Sequence, residues 1–526
     1  MHSERLRHTG TMTESNPRRT FLLGLAGSGA VALPAPAQAP SPIGIFNVRN
    51  FGATGDGNRL ETKPLQSAID ACAAAGGGTV YFPPGRYLSG GLILKSHVHL
   101  YLESGATLVG STRLDDYPVT RPQIRSYTDN YTERSLIFGE GLENVGLHGR
   151  GTIDGQGGAF KGPYKVRPYL IRLVSCRHVA VTDLTIRDSP MWVQHYLACE
   201  DVAIRGITVH SFVNANNDGI DIDCCQRVVI SDCNVASLDD AIVLKSTSDR
   251  PTRNVVITNC VLSTWCNAFK LGTESNGGFQ DIVLSNCTMY DTRLSGIAIE
   301  MVDGGLLERV SISNVTMRDV NNVIFIRLGD RGRPFREGDP RPGLGKLRSV
   351  QIRGIEATGA STIGCPISGI PGHNIEDVTI RDVHIVFKGG VQEVPEDVPE
   401  HPDRYPEHKM FGLLPAYGFF CRHVRKIRLE NVRTSFEQAD ERPAVVCHDV
   451  AGLEMAGCSW AARNVAVRLR GVDGALVSGC RLPGPVPVFL ETQESRNISL
   501  IGNDLSQAGE AYRGEGVFAT SNRLRA

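Results

Sequence analysis

Three aspartates near the middle of the chain have the types and the spacing that acid–base chemistry needs. Asp218 lies in the segment Asn-Asn-Asp-Gly, and the pair Asp239-Asp240 begins 21 residues later. Carboxyl groups in unlike surroundings have different pKa values, so that one donates a proton while another accepts one. An acid and a base about 6.5–9.5 Å apart, with a water between them, cleave a glycosidic bond with inversion. We therefore predict that Asp218, Asp239 and Asp240 are catalytic.

Two other interpretations of these acidic residues compete with catalysis. Asp and Asn often occupy turns, which explains isolated residues such as Asp232 and Asp382. Turn formation explains Asp239-Asp240 less well, because that pair lies within an otherwise apolar repeat. A calcium site built from the same carboxylates is the chemical competitor of the catalytic interpretation.

A repeat that runs through most of the chain predicts how the aspartates are brought together. A polar pair followed by alternating apolar residues recurs at steps of 23 to 28 residues. The first apolar positions are Val179, Val202, Val228, Val255, Ile282 and Val310. Alternation indicates β-strands, and a repeat of this length indicates a stacked solenoid with no room for a long helix in each turn. We predict an all-β parallel β-helix, in which Asp218 lies one turn, about 4.8 Å, from Asp239 and Asp240.

Other segments of the chain depart from the repeat. Residues 327–346 and 386–417 are rich in Pro, Gly and charge, and are predicted to be long loops. Such loops are either walls of a binding site or tolerated surface insertions. Residues 62–75 place Leu65, Ile69 and Cys72 on one helical face and precede three glycines. We predict a short helix there, which caps the N-terminal end of the solenoid.

The 14 cysteines are predicted to be core residues rather than disulfide partners. Cys233, Cys260 and Cys287 occupy one repeat position, 27 residues apart, where other repeats have Val, Ile or Leu. Cysteine therefore serves there as a small apolar side chain. The sequence contains no Cys/His group with the spacing of a zinc site.

Composition and the N-terminus restrict the classes of partner. The 55 basic and 56 acidic residues give a neutral balance that argues against a nucleic-acid partner. Outside the N-terminus, no apolar run approaches the length of a membrane span. Residues 1–39 contain Arg18-Arg19, an apolar stretch and alternate alanines up to Ala39, a pattern typical of a twin-arginine export signal. We predict a periplasmic or extracellular protein, in which residues 40–526 form one monomeric domain.

The motifs around the aspartates resemble those of glycoside hydrolase family 28, the polygalacturonase and rhamnogalacturonase group. Asn216-Asn217-Asp218-Gly219 resembles the Asn-Thr-Asp-Gly motif of that family, and Asp239-Asp240 resembles its paired aspartates. The resemblance implies a single-stranded, right-handed parallel β-helix. It also implies that Asp239 is the general acid, that Asp218 and Asp240 hold and activate the water, and that no metal or other cofactor is needed.

Two motifs of the family are not kept in this sequence. Cys266-Asn267-Ala268 stands where the family has Gly-His-Gly, and Ala298-Ile299-Glu300 stands where it has Arg-Ile-Lys. The family uses these cations to bind the substrate carboxylate, so another source of positive charge is needed. Lys270 is either such a source or the ion-pair partner of Glu300. The predicted substrate-binding residues are Asn216, Lys245, Asn267, Lys270 and Glu300.

These observations predict an inverting glycoside hydrolase that acts on pectic polysaccharides or oligosaccharides of the plant cell wall. The missing Arg and Lys favour rhamnogalacturonan-type or modified substrates over plain homogalacturonan. Residues 405–412 mix aromatic and charged side chains, which favours a wall that closes one end of the cleft and exo action. The alternatives are a polysaccharide lyase or uronate epimerase on the same fold, and a carbohydrate-binding β-helix without catalysis.

Overall fold

The computed structural model describes residues 44–525, in which the chain forms a parallel β-helix. Strands from successive turns stack in register, as in the series Val179, Val202, Val228 and Val255. The predicted all-β solenoid is therefore confirmed. The predicted export signal lies outside the described residues. No helix within residues 44–525 is long and apolar enough to cross a membrane.

Three stacks of strands form the walls of the solenoid, and in six places two or three of them merge into one long strand. The stack that carries the site contains Leu92–Ile93, Ser135–Glu140, Tyr169–Val174, Gln194–Leu197, Ile220–Asp223, Ile242–Ser246, Phe269–Ser275, Cys365–Ser368, Val465–Arg470, Val486–Gln493 and Ala508–Arg513. The second contains Gly44–Asn47, Gly78–Phe82, Val98–Leu102, Glu143–Gly149, Arg177–Thr182, Glu200–Arg205, Gln226–Ser231, Thr252–Thr258, Asp473–Ser478, Arg496–Ile501 and Val517–Thr520. The third contains Gly85–Ser89, Ala106–Gly110, Thr152–Asp154, Thr185–Arg187, Thr208–Ser211, Asn234–Ser237, Val261–Thr264, Ser459–Trp460, Asp504–Leu505 and Arg523–Leu524. The merged strands are Gly278–Met301, Leu306–Leu328, Lys346–Ala360, Ile375–Gly389, Phe419–Gln438 and Val445–Ala456.

The lumen of the solenoid is a continuous apolar core. The inward residues of each turn stack on those of the next, and Val202, Val228 and Val255 are at most 1% exposed. Each such side chain contributes about 1.5–3 kcal/mol by burial. Cys233, Cys260 and Cys287 lie in this core and are unpaired, as the repeat predicts.

The corners between strands are made by residues in the left-handed conformation. Asp232 and Asp382 have φ angles of 59° and 53°, a region that Asn and Asp adopt more readily than other side chains. The amide of Asn259 donates to the Asp232 carboxylate at 3.2 Å on the adjoining turn. These aspartates therefore form turns and stacked ladders, as the sequence suggests for isolated acidic residues.

The helix Thr62–Ala74 lies at the N-terminal end of the solenoid. Leu65, Ala68, Ile69 and Cys72 are its buried residues, and they join the main apolar core. The prediction of an amphipathic helix in this segment is therefore confirmed. Within residues 44–525, the short 3-10 helices are Val48–Phe51, Leu114–Asp116, Tyr127–Asn130, Gly157–Ala159, Tyr164–Val166 and His408–Phe411.

Long loops leave the solenoid on the side of the site. The first predicted loop covers residues 329–345 and the second covers residues 390–418, because the flanking strands extend to Leu328 and Gly389. Two further loops, residues 111–134 and 155–168, are not apparent from the repeat. The second long loop places Met410, Phe411 and Leu414 against outward residues of the solenoid, in an apolar cluster separate from the lumen.

Candidate active site

The three predicted catalytic aspartates come together where two neighbouring strands begin. Asp218 lies two residues before Ile220–Asp223, and Asp240 lies two residues before Ile242–Ser246, two strands that pair in parallel. Asp218 is 3% exposed and Asp240 is 2% exposed, whereas Asp239 is half-buried. The parallel stacking thus brings together carboxylates that are 21 residues apart in sequence.

Asp240 is held as a carboxylate by its neighbours on the next turn. Its Oδ1 accepts hydrogen bonds from the Asn267 backbone N–H at 3.2 Å and from the Asn267 side-chain amide at 2.8 Å. Its Oδ2 lies 3.2 Å from the Lys270 ammonium. Burial raises the pKa of Asp240, but Lys270, Lys245 and hydrogen bonds from Cys266 and Asn267 together outweigh burial and lower it. Asp240 is therefore the aspartate best placed to act as a base.

The pKa of Asp239 is shifted in the opposite direction to that of Asp240. Burial and the adjacent Asp240 raise its pKa, with Lys270 opposing them. The Asn216 amide nitrogen lies 3.5 Å from Asp239 Oδ2. The hydroxyls of Ser237 and Thr264 donate to the Asp239 carbonyl and hold this segment in place. Asp239 is therefore suited to carry a proton at the accessible side of the site.

Lys245 is the centre of a second group of carboxylates. Its ammonium lies 3.5 Å from Asp218, 3.6 Å from Asp221 and 3.8 Å from Glu274. Burial raises the pKa of Glu274, but Lys245, Arg333 and other cations lower it to about 2. Glu274 is thus the ionised partner. Burial and the neighbouring carboxylates raise the pKa of Asp218 and Asp221.

Lys270 joins Asp240 to Glu300 on the following turn. The ammonium lies 3.7 Å from Glu300 Oε2 and 5.7 Å from the centre of the Tyr405 ring. Glu300 is 1% exposed, and burial raises its pKa to about 8 although Lys270 opposes this. Lys270 is therefore within ion-pair distance of both carboxyl groups.

The repeat does not reveal the residues that the long loops contribute. Arg331 and Arg333 come from the first long loop, and the guanidinium of Arg331 binds the buried Asp303. Arg333 binds Glu274 and lies 3.5 Å from the centre of the Tyr127 ring. Residues in these loops do not follow the repeat, so in the sequence only their charge marks them as candidate site residues.

The other wall of the site is aromatic and comes from the loops near residues 111–134 and 155–168. Tyr131 stacks near Tyr164 and Trp192, with ring centres 4.6 and 5.3 Å apart. Arg167 donates to the Asn216 side-chain oxygen at 2.9 Å. This contact fixes Asn216 beside Asp239. The aromatic wall therefore bounds the site on its N-terminal side.

Carboxylates near one another are also potential metal ligands. Among residues 44–525, ligand atoms of Asp239, Asp240 and Cys266 lie within 4.8 Å of one another. The carboxylate of Asp240 is already engaged by Asn267 and Lys270. Positive charge at this position thus comes from a lysine of the chain itself, and we assign no metal to the site.

A family model described as glycosyl hydrolases family 28 matches residues 73–400. The match covers more than half of the chain and includes all three aspartates. The chain belongs to glycosyl hydrolase family 28. The resemblance in the motifs is therefore confirmed at the level of the family.

Sequence relatives in this group include a probable polygalacturonase of Vitis vinifera, which is 38% identical over 218 residues, or 38% of this chain and 44% of the relative. An exo-poly-alpha-D-galacturonosidase of Dickeya chrysanthemi is 27% identical over 252 residues, or 38% of this chain and 41% of the relative. The aligned part thus spans less than half of either relative. A hyperthermoactive exopolygalacturonase of Thermotoga maritima has a solved structure that matches with a TM-score of 0.59 and 21% identity, covering 75% of this chain and 92% of that chain. This structural likeness supports the fold.

Proposed function

We propose that this family 28 protein hydrolyses glycosidic bonds of pectic polysaccharides or oligosaccharides with inversion. The observation that carries the proposal is the meeting of Asp218, Asp239 and Asp240 from adjoining turns, with opposite pKa tendencies in Asp239 and Asp240. Two carboxyl groups whose surroundings separate their pKa values are an acid and a base.

In the proposed reaction, Asp239 donates its proton to the glycosidic oxygen as the bond to the leaving sugar breaks. Asp240 accepts a proton from the water that attacks the opposite face of the sugar. Asp218, held beside Lys245 at 3.5 Å, orients that water. Solvent then returns a proton to Asp239 and removes one from Asp240. Asn267 donates two hydrogen bonds to the Asp240 carboxylate and so holds it in position.

The positively charged side chains of the site affect whether a negatively charged sugar can bind next to the cleaved bond. Lys245 and Lys270 each lie within 4 Å of carboxylates, and Arg331 and Arg333 bind Asp303 and Glu274. The cations are therefore already compensated within the protein. This supports rhamnogalacturonan-type or modified substrates over plain homogalacturonan, whose every sugar carries a carboxylate.

The second long loop supports exo action. Its apolar residues, including Phe411, cover outward residues of the solenoid directly beyond the site. Arg327 and Arg422 hold this loop by donating to its backbone carbonyls, as in the 2.8 Å bond from Arg327 to the Glu400 carbonyl. Tyr405 of the same loop lies over Lys270. A chain end fits such a closed cleft better than the middle of a polymer does.

The test is a product assay on homogalacturonan, rhamnogalacturonan and their oligosaccharides. We expect new reducing ends from one substrate, and a loss of about 10²–10⁴-fold in Asp239→Asn. The matched control is Asp232→Asn, an exposed turn residue one strand away, which should keep wild-type activity. Monomers or dimers should be the limit products, and mid-length products would contradict exo action. Products that absorb in the ultraviolet would instead indicate a lyase.

Export remains part of the proposal. A pectic substrate lies outside the bacterial or plant cytoplasm, and the Arg18-Arg19 motif supplies a route. We expect Arg18→Lys together with Arg19→Lys to retain the protein in the cytoplasm of a host with a twin-arginine system. We also expect the exported enzyme to be a monomer. Unchanged export of the double variant would exclude the twin-arginine route.

A further inference from the structure

Glu300 is a buried acid that shares its nearest cation with Asp240. Its side chain is 1% exposed, and its Oε2 has no hydrogen-bond partner among the described residues. The Lys270 ammonium lies 3.7 Å from this atom but 3.2 Å from Asp240 Oδ2. Asp240 also receives two hydrogen bonds from Asn267, whereas no such donor reaches Glu300 Oε2. The surroundings therefore favour a charged Asp240 and a neutral Glu300.

The groups around Glu300 come from four parts of the chain. Lys270 and Asp240 lie on preceding turns, and Arg331 and Glu407 come from the two long loops. Burial is the largest influence, and it raises the pKa of Glu300 to about 8 against the opposing effects of Lys270 and Arg331. Glu300 is thus protonated throughout the acidic range.

We infer that Lys270 acts on Asp240 rather than forming an ion pair with Glu300, and that Lys270 is a positioning residue for the catalytic base. Because Glu300 is neutral, the whole charge of Lys270 acts on Asp240 and keeps it ionised in acid. This inference rests on the proposed function only in taking Asp240 as the base. It replaces the open alternative of a simple Lys270–Glu300 ion pair.

The acidic limb of the pH profile of kcat/KM tests this inference, because that limb reports ionisation of the base in the free enzyme. Glu300→Gln is neutral at every pH, so we expect its acidic limb to stay within about 0.3 pH unit of wild type. Lys270→Met removes the cation, so its limb should move up by about one unit or more. If the acidic limb of Glu300→Gln shifts to lower pH, Glu300 is ionised in the wild-type enzyme. If the acidic limb of Lys270→Met does not shift, Lys270 does not act on Asp240. Either result would overturn the inference.

A second measurement needs no activity and so separates this inference from the proposed function. A buried neutral acid binds its proton more tightly folded than unfolded, so its contribution to stability is lost as pH rises from about 4.5 to about 8. The melting temperature of Glu300→Gln should therefore rise relative to that of wild type across this range, by up to about 5 °C. The control is Glu407→Gln, a partly exposed loop carboxylate near Glu300, which should follow wild type. A constant difference between Glu300→Gln and wild type would overturn the inference, even if no substrate is found.

Discussion

Two buried lysines stand side by side in the site, and their surroundings differ. Lys245 lies within 4 Å of three carboxylates, one of which, Glu274, is also bound by Arg333. Lys270 lies within 4 Å of only two, and Asn267 supports one of them. Lys245 lies beside one ionised carboxylate, Glu274, and two aspartates whose pKa values are raised. Lys270 lies closest to the ionised Asp240. Both lysines lower the pKa of Asp240, but of the two only Lys270 lies within 4 Å of its carboxylate.

The largest difference should appear in stability when each lysine is replaced by methionine. Lys245→Met removes the shared cation of the ionised Glu274 and of Asp218 and Asp221, and breaking a buried pair typically costs about 3–5 kcal/mol. Lys270→Met should cost less, because only two carboxyl groups lie within 4 Å of Lys270 and Asn267 still binds one of them, Asp240. Denaturant unfolding at pH 7 measures both values. Equal losses would remove the distinction between the two lysines.

Glu274 should give a pH-dependent effect of opposite sign to that of Glu300. Cations lower its pKa to about 2, so it adds stability that is present above its unfolded pKa of about 4.5 and is lost as pH falls towards 2. Glu274→Gln should remove a contribution on the order of 3 kcal/mol at pH 7 and none at pH 2. Melting curves of the variant and wild type should converge in acid. Curves that diverge in acid would contradict the assignment.

Asn267→Ala tests the surroundings of Asp240 with a smaller change than Lys270→Met. It removes the 2.8 Å bond from the side-chain amide to Asp240 but keeps the backbone N–H and Lys270. A hydrogen bond to a charged group contributes about 1.5–3 kcal/mol. We expect kcat/KM to fall about tenfold and its acidic limb to rise by less than in Lys270→Met. A larger shift than that of Lys270→Met would reverse the order of the two residues.

The smallest effect should come from Arg333→Lys at the edge of the Lys245 group. A lysine keeps the charge near Glu274 but loses the planar contact with the Tyr127 ring. Such contacts contribute about 0.5–1 kcal/mol at partly exposed positions. Denaturant unfolding should detect this change, and Tyr127→Leu should reproduce it. Non-additive losses in the double variant would confirm that the two side chains interact.

The fold and the carboxylate centre could be predicted because both follow from periodicity. The repeat indicates which strands stack, and the pairing of Ile220 with Ile242 brings Asp218 next to Asp240. The roles of Arg331, Tyr405 and Arg167 could not be predicted in this way, since they lie on loops without a period. Glu274 lies on a strand, four residues after Lys270, and only the register shows that it meets Lys245.

Two arginines, one on each side of the second long loop in the chain, form a clamp that holds this loop in place. Arg327 lies before this loop in the chain and Arg422 lies after it, and both bind its carbonyls. A growing chain that has passed Glu300 holds all three aspartates, yet it lacks the C-terminal half of the clamp. The wall over Lys270 is therefore held from both sides, by Arg327 before the loop and by Arg422 in the strand that begins at Phe419. The site thus depends on residues well beyond the segment that carries the three aspartates.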